Sequence, residues 1–360
     1  MRVSPSLVSC DVVVVGYGPV GAALALRCAQ LGLAVTVVER VPEVFPLPRA
    51  VAADGEVFTL LQRLDPSLVT GFVSDRPVRF AAADRRVLGE VRFPSYGAAP
   101  GLSFLSQPAL ETRLRALCAA AGVTVRHGTV VALQGATAVL ADRTAVRGRW
   151  LVGCDGASST VRSLLGVAWR GRDLPGEWLV AEVAWRGRDL FTYTCDPLLP
   201  QVDMPTPEGH RWEWLGASLD ELPGLLARDG AAGAEVLRAV GYRFSARRAA
   251  AWQVGPVLLA GDAAHTMPPF AGQGLGAGLR DAWALAGMLA RGDVSRYQAL
   301  REPHVREMTR LSLLLGGLLS ARRGAGLRDR ALAGAFAAPV LGPWLARGGP
   351  RPTDSRVLRV

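Results

Sequence analysis

The chain has 360 residues, half of them hydrophobic, and a formal net charge of +10. That suffices for a large core, in two domains or in one domain with a large insert, and it excludes wholesale disorder. All the positive charge is arginine; lysine, asparagine and isoleucine are absent, as codon usage in a GC-rich genome would produce. The arginines are scattered, in runs no longer than pairs such as Arg247-Arg248 and Arg322-Arg323, so nucleic-acid binding is not expected. The five cysteines (Cys10, Cys28, Cys118, Cys154 and Cys195) contain no Cys-x-x-Cys pair, and the four histidines are unclustered. This argues against a disulfide framework and a metal site, and fits a reducing, cytoplasmic setting. Val12–Val15 is too short for a signal peptide, and Leu311–Leu319 falls short of the roughly 20 apolar residues that span a membrane.

In chain order, Asp11–Val15 reads as a buried parallel strand ended by Gly16. Val20–Leu31 reads as a helix stopped at Gly32, and Ala34–Val38 as a second buried strand closed by Glu39. Together they make a β-α-β unit of about 30 residues, the length a right-handed crossover needs. Pro42, Pro46 and Pro48 impose an irregular loop. Glu56–Leu64 is expected to be helical, and Val78–Phe93 a hairpin about Asp84-Arg85-Arg86. Pro108–Ala121 has the marks of a helix: proline at its start, Leu110, Leu114 and Leu117 on one face, and Gly122 as its stop. Short strands follow to Val152. From Gly166 to Ala251 the chain is tryptophan-rich and alternating, which reads as a mainly β region forming one wall of a substrate pocket. Val257–Ala260 is again a buried parallel strand, and Gly272–Leu289 and Arg296–Leu319 are expected helices. The Pro/Gly/Arg-rich tail beyond Gly348 is expected to be frayed.

Three motifs carry chemistry. Gly16-Tyr17-Gly18-Pro19-Val20-Gly21 lies between a strand and a helix, where glycines let the backbone turn tightly against a pyrophosphate at the helix N-terminus. Glu39 ends the next strand, where a carboxylate can accept from a ribose diol. This pair does not separate NAD from FAD. Cys154-Asp155-Gly156-Ala157-Ser158-Ser159, with Val161-Arg162 behind it, reads on its own as a capped turn. In the third motif a buried strand delivers Asp262 to its C-terminal end, and Pro268-Pro269 and then Gly272, Gly274 and Gly276 build a rigid loop running into a helix. A carboxylate there can bind a ribityl hydroxyl. A helix N-terminus aimed at a planar acceptor favours the negative charge of a reduced flavin near N1 and O2.

The three motifs in this order, over about Asp11–Leu289, resemble the class A flavoprotein aromatic hydroxylases, the para-hydroxybenzoate hydroxylase group. Ala264–Gly274 is most similar to the 3-hydroxyphenylpropionate hydroxylases and the tetracycline-hydroxylating flavin enzymes. The resemblance implies an α/β fold: a Rossmann-like, glutathione-reductase-type FAD-binding domain (1–75, 100–165 and 252–295), an inserted mainly β substrate domain (76–99 and 166–251), a C-terminal helical segment (296–347) and a tail (348–360). It implies that Gly16, Gly18 and Gly21 hold the FAD pyrophosphate, and that Glu39 binds the adenosine ribose with Arg40 beside it. Arg49 would lie near the flavin. Gln107 and Arg113 would contact ribityl and phosphates, Asp155 would serve the FAD and NAD(P)H sides, and Asp262 would bind the ribityl chain. Pro268, Pro269, Gly272, Gly274, Leu275 and Gly276 would lie along the flavin ring. Most relatives carry asparagine where this chain has Gly276, and the longer ones carry a thioredoxin-like C-terminal domain that is missing here.

The implied reaction uses transient NADPH or NADH and O2 to hydroxylate a small aromatic through a flavin C4a-hydroperoxide, in a monomer or homodimer. The aromatic-rich middle region suggests secondary metabolism. Substrate-pocket candidates are Tyr193, His210, Arg211, Trp212 and Trp214, each of which sheet packing would also explain; no catalytic base stands out. His265 is expected to be structural. Baeyer–Villiger or epoxidising chemistry, and at lower weight polyprenyl reduction, remain alternatives in the same fold. The lack of lysine argues against a flavin halogenase.

Overall fold

The computed structural model describes residues 7–46, 52–74, 77–93, 95–338, 344 and 357–359; Arg49 lies outside them. The chain opens with β1 (Leu7–Val15), α1 (Pro19–Gln30) and β2 (Val35–Glu39). It continues through β3 (Ala52–Asp54), α2 (Gly55–Leu64), β4 (Val73–Ser74), β5 (Val78–Ala82), β6 (Val87–Val91), β7 (Leu102–Phe104) and α3 (Gln107–Ala120). Next come β8 (Thr124–His127), β9 (Val130–Gln134), β10 (Thr137–Leu140), β11 (Ala145–Gly153) and α4 (Thr160–Leu164). The middle region holds β12 (Trp169–Asp173), β13 (Trp178–Ala184), β14 (Phe191–Cys195), β15 (Gln201–Thr206), β16 (Gly209–Leu215), α5 (Leu222–Arg228), β17 (Glu235–Tyr242) and β18 (Ser245–Ala249). The chain then runs through β19 (Gln253–Val254), β20 (Val257–Leu259), β21 (His265–Thr266), α6 (Gly274–Arg291), α7 (Tyr297–Leu319) and α8 (Ala325–Ala337).

The valine-rich strands that periodicity singles out lie side by side. β20, β11, β1, β2 and β8 pair in parallel in that order, with β19 antiparallel on β20 and the β9–β10 hairpin joined to β11. Val12, Val13 and Val14 are fully buried, as strands covered on both faces require. α1 packs between α3 and α6 on one face. Here sequence and structure agree, because a continuous apolar run has no other stable place.

A second sheet, ordered β17-β13-β16-β15-β14-β5-β6, draws its strands from residues 78–91 and 178–242. The hairpin about Asp84-Arg85-Arg86 joins β5 to β6, with Arg85 in the left-handed region (φ 67). Two features were not legible. β12 and β18 lie outside this sheet and pair with each other, and β18 also pairs with β21, tying the middle region to the segment after Asp262. A small sheet, β3-β7-β4, lies near the glycine loop of α6. The tail expected to be frayed is corrected at one point: Val357 begins a 3-10 turn and is fully buried against Leu60 and Ala284, since an apolar side chain docks where a helix pair leaves apolar surface.

Candidate functional site: a dinucleotide cleft facing a charged sheet

The three glycines of the first motif have separate physical reasons. Gly16 has φ +101, and a Cβ there would lie 2.5 Å from the Cys154 carbonyl oxygen. A Cβ on Gly21 would lie 2.0 Å from the Gly16 carbonyl oxygen, so both are demanded by close helix–strand approach. Gly18 is different. Its backbone is ordinary (φ -68, ψ -178), and a Cβ would meet nothing within 4 Å. It is the N-cap of α1, where no side chain caps the helix and no acid sits in the first turn. The free N–H groups and the positive end of the helix dipole are left for an anion.

Glu39 stands beside this turn. Its Oε2 accepts from the Tyr17 N–H at 2.6 Å and its Oε1 from the Val41 N–H at 2.8 Å, which fixes the carboxylate and leaves lone pairs for a diol. Arg40 is exposed. Gln107 is the first residue of α3, behind the N-cap Ser106, and is half-buried. Arg113 donates to the Ser67 and Thr70 carbonyls, at 3.4 and 2.6 Å. The α3 arginine that reaches the glycine turn is Arg115, which sequence reasoning missed. It donates to the Tyr17 and Pro42 carbonyls (3.2 and 2.7 Å) and to Glu111 (2.7 Å), with its guanidinium over the Tyr17 ring. Both lie on one helix, and only the loop positions separate their roles.

Asp155 acts in this structure as a cap. Its oxygens accept from the Ser159 hydroxyl at 2.5 Å and from the Val161 N–H at 3.0 Å. Arg162 then reaches back from α4, donating to the Ala157 and Ala263 carbonyls and stacking on Trp169. The Asp-Gly turn and the Gly-Asp turn are thus clamped by one buried arginine.

The Gly-Asp turn meets the glycine turn through small residues. A Cβ on Gly261 would lie 3.1 Å from Val20 Cγ1, and one on Gly278 2.6 Å from Val20 Cγ2. Asp262 is exposed, while Gly261, Ala263, Ala264 and His265 are buried. Behind the turn lies a dry network. Asp281 accepts from His265 Nε2 (2.6 Å), Arg301 Nε (2.8 Å) and the Gly261 N–H (3.1 Å). Burial pushes the Asp281 carboxyl up, but His265 and Arg301 outweigh it and hold it below the usual carboxylate range. His265 is thus held, buried, in the network behind the turn.

The loop that follows is pinned from beneath. Ser312 of α7 donates to the Pro268 carbonyl at 2.6 Å, Pro269 opens a 3-10 turn, and Gly272 ends it in the left-handed region (φ 63). α6 then starts at Gly274 with no side-chain cap and no acid in its first turn, and a Cβ on Gly274 would meet nothing. This is a second helix N-terminus with donors unspent. Leu275 is half-buried. Gly276 points inward, where a Cβ would come within 2.9 Å of both Arg280 Nη1 and Val57 Cγ2. Arg280, fully buried, pairs with Glu56 and with Asp54 (2.7 Å) and donates to Gln273 (3.1 Å), binding the loop to α2 and β3. The visible signal for both networks was charge (Arg280-Asp281) inside an otherwise apolar helix.

The seven-stranded sheet splits the five substrate-pocket candidates. His210, Trp212 and Trp214 alternate onto one face, where the two tryptophans pack with Leu179, Leu222 and Leu226 beneath α5. They form a sheet–helix core turned away from the flavin loop, which corrects their placement in a pocket. Tyr193 and Arg211 take the opposite face. There the Tyr193 hydroxyl donates to the Phe270 carbonyl of the loop, and Trp178 packs 5.3 Å from the Phe270 ring. Burial, then Glu213, raises the Tyr193 phenol far out of reach of ionisation. The register sets Glu213 and Val180 in the row of Tyr193, and Glu182, Arg211 and Arg238 in the next.

Glu182 is 3% exposed. Burial pushes its carboxyl up, and the attraction of Arg211 and Arg238 only partly offsets it, leaving a value of about 7. A folded-state value raised from an unfolded ~4.5 means stability that is full at low pH and lost as pH rises through about 7, by on the order of 3 kcal/mol. Glu182→Gln removes this loss. Thermal melts should therefore show the variant gaining on wild type by several degrees between pH 5.5 and 8; an unchanged difference would place the carboxyl in an ordinary environment.

Among the described residues, no group of three or more His, Cys, Asp or Glu could hold a metal, and no helix is long and apolar enough to cross a membrane. Against known proteins, the FAD binding domain family matches residues 9–197 and 221–310. A 3-(3-hydroxy-phenyl)propionate/3-hydroxycinnamic acid hydroxylase of Mycobacterium sp. (strain KMS) is 34% identical over 92% of this chain and 64% of its own. A probable NADH-specific resorcinol 4-hydroxylase of Rhodococcus jostii is 33% identical over 90% of this chain and 67% of its own. The chain thus spans a little under two thirds of the first of these relatives. The crystal structure of p-nitrophenol 4-monooxygenase from Pseudomonas putida shares the fold, with a TM-score of 0.81, 22% identity and coverage of 98% of this chain and 96% of that one. The chain belongs to the FAD-binding-domain family of class A flavoprotein aromatic hydroxylases.

Proposed function

We propose that this protein is an FAD-dependent monooxygenase that hydroxylates a small aromatic compound at the expense of NAD(P)H and O2. The observation that carries the reading is the packing of two helices with uncapped N-termini, at Gly18 and at Gly274, against each other and, through Val20, against the Gly261 turn that bears exposed Asp262. One suits a pyrophosphate and the other the pyrimidine edge of a flavin, with the aspartate of that turn for a polyol. In this reading Gly16, Gly18, Gly21, Glu39 and Arg40 hold the adenosine diphosphate half. Gln107, Arg113 and Asp155 complete the site, and Arg49 belongs to it on family resemblance alone. Pro268, Pro269, Gly272, Gly274, Leu275 and Gly276 lie along the ring.

When bound, FAD would supply the redox chemistry, by which hydride from NAD(P)H and a proton reduce one oxygen atom of O2 to water while the other enters the arene. The chain contributes placement. The uncapped α6 N-terminus would offer N–H donors to the negative charge of a reduced flavin. Ser312, Arg280 and the Asp281 network keep the loop rigid, so these donors need no reorganisation. Tyr193 ties the sheet to the Phe270 carbonyl, and the apolar residues Trp178, Phe244 and Phe270 exclude water. The relatives' names point to phenols, and free, largely buried cysteines suit a cytoplasmic enzyme.

The test is aerobic NADH and NADPH oxidation by the FAD-loaded protein with a panel of phenols, with product analysis. Substrate-stimulated oxidation and a product one oxygen heavier are expected. A reduced product with no oxygen inserted would instead favour a flavin-dependent reductase.

A further inference from the structure

The loop from Pro268 to Gly276 treats its two kinds of backbone group differently. Its carbonyls are drawn back into the protein. Pro268 accepts from the Ser312 hydroxyl, Pro269 from the Gly272 N–H, Phe270 from the Tyr193 hydroxyl and Gln273 from the Ala277 N–H. Its donors are left over. Among the described residues, the N–H groups of Ala271, Gly274, Leu275 and Gly276 make no hydrogen bond.

Tyr193 is the side chain in this set that orients a donor. Ser312 holds the Pro268–Pro269 peptide, which has no N–H to aim. The Phe270–Ala271 peptide has one, and it is trans, so its C=O and N–H point in opposite directions. Drawing the Phe270 carbonyl onto β14 therefore turns the Ala271 N–H away from the sheet. The hydroxyl is held to that task. Burial keeps the phenol protonated, so it donates throughout the working pH range. The Tyr193 ring stacks on Phe80 at 5.0 Å and packs against Phe191 at 4.8 Å. Phe336 of α8 backs Phe80 at 5.3 Å, filling the space over Gly89, where a Cβ would collide with it. The Phe270 ring is received by α7 at Gly316, where a Cβ would again collide.

We propose that Tyr193 is a positioning residue that raises the reduction potential of the bound flavin. Its hydroxyl fixes the Phe270–Ala271 peptide so that the Ala271 N–H stays free for the negative charge of the reduced form. The inference rests on the FAD reading above. Without the hydroxyl, the Phe270 carbonyl is left unmet and the peptide can turn to seek another donor. A carbonyl in place of the N–H would disfavour the added negative charge, so both effects lower the potential.

The experiment equilibrates the FAD-loaded protein with an indicator dye of known potential during anaerobic reduction by dithionite, with no aromatic compound and no nicotinamide present. Tyr193→Phe keeps the ring and its packing and removes only the hydroxyl. At unchanged FAD content, its ratio of reduced to oxidised flavin at a fixed dye potential should fall at least ~10-fold, or ~30 mV for a two-electron couple. Gly316→Ala, which forces the Phe270 ring aside, should lower the ratio in the same direction. Thermal melts of both variants separate this from a purely structural role, which would lower the melting temperature and leave the potential of the remaining bound flavin where it was. An unchanged or higher ratio in folded, FAD-loaded Tyr193→Phe overturns the proposal and leaves the FAD reading intact. Should that variant not fold, the same result in Gly316→Ala overturns it. A wild-type protein that takes up no FAD overturns the FAD reading, and this inference with it.

Discussion

Gly18→Ala is expected to leave the fold intact and to weaken FAD binding by at least ~10-fold, about 1.4 kcal/mol. The argument is geometric. Gly18 has a backbone conformation that any residue adopts, and a Cβ there touches no protein atom. Nothing in folding calls for glycine, so the reason must lie with what approaches the helix N-terminus. A methyl group would stand between the α1 donors and the pyrophosphate. Gly21→Ala is the matched control with the opposite signature. Its Cβ would be driven into the Gly16 carbonyl oxygen at 2.0 Å, so α1 must shift off the sheet. That variant should lose stability by roughly 1–3 kcal/mol, the usual cost of overpacking, along with the cofactor. Thermal melts of the apo-proteins and FAD titrations separate the two. A Gly18→Ala protein that binds FAD like wild type would move the pyrophosphate elsewhere.

Removing Asp281 should be the most damaging single change to stability. Three donors converge on its carboxylate inside the protein: His265, Arg301 and the Gly261 N–H. Arg301 is fully buried, so Asp281→Ala leaves a charge without its counterion, at a cost on the order of 3–5 kcal/mol. The Gly261 turn loses its anchor at the same time, and with it the position of Asp262. Denaturant unfolding should show the loss, and FAD affinity should fall with it. The pH dependence has a definite sign. With its folded-state value held below the usual ~3.8, Asp281 contributes stability that is full above that value and is lost as pH falls through the lower one. An Asp281→Ala protein that unfolds like wild type at neutral pH would contradict the network.

What could be read in the sequence was what local physics decides. The Val12–Val15 run, the stop at Gly32 and the acid closing β2 leave few arrangements open, and the order of three glycine-containing turns specifies a dinucleotide cleft. Long-range pairing was not legible. Nothing near His210, Trp212 or Trp214 reveals which face of β16 they occupy. That depends on α5, which arrives later in the chain, and alternation alone gives two faces without saying which one meets the loop. Arg113 and Arg115 are likewise indistinguishable in a helical pattern until the loops around Ser67 and Pro42 are in place. The buried charges were visible as anomalies, Glu182 within Trp178–Ala184 and Arg280-Asp281 within α6, but their partners come from strands and helices distant in sequence.

The visible absorbance of the purified protein, before and after incubation with FAD and removal of the excess, tests the central claim most directly. The account predicts flavin bands corresponding to one bound FAD per chain, lost in Gly18→Ala at cofactor concentrations that saturate wild type. A folded protein that stays colourless after FAD is supplied would contradict it.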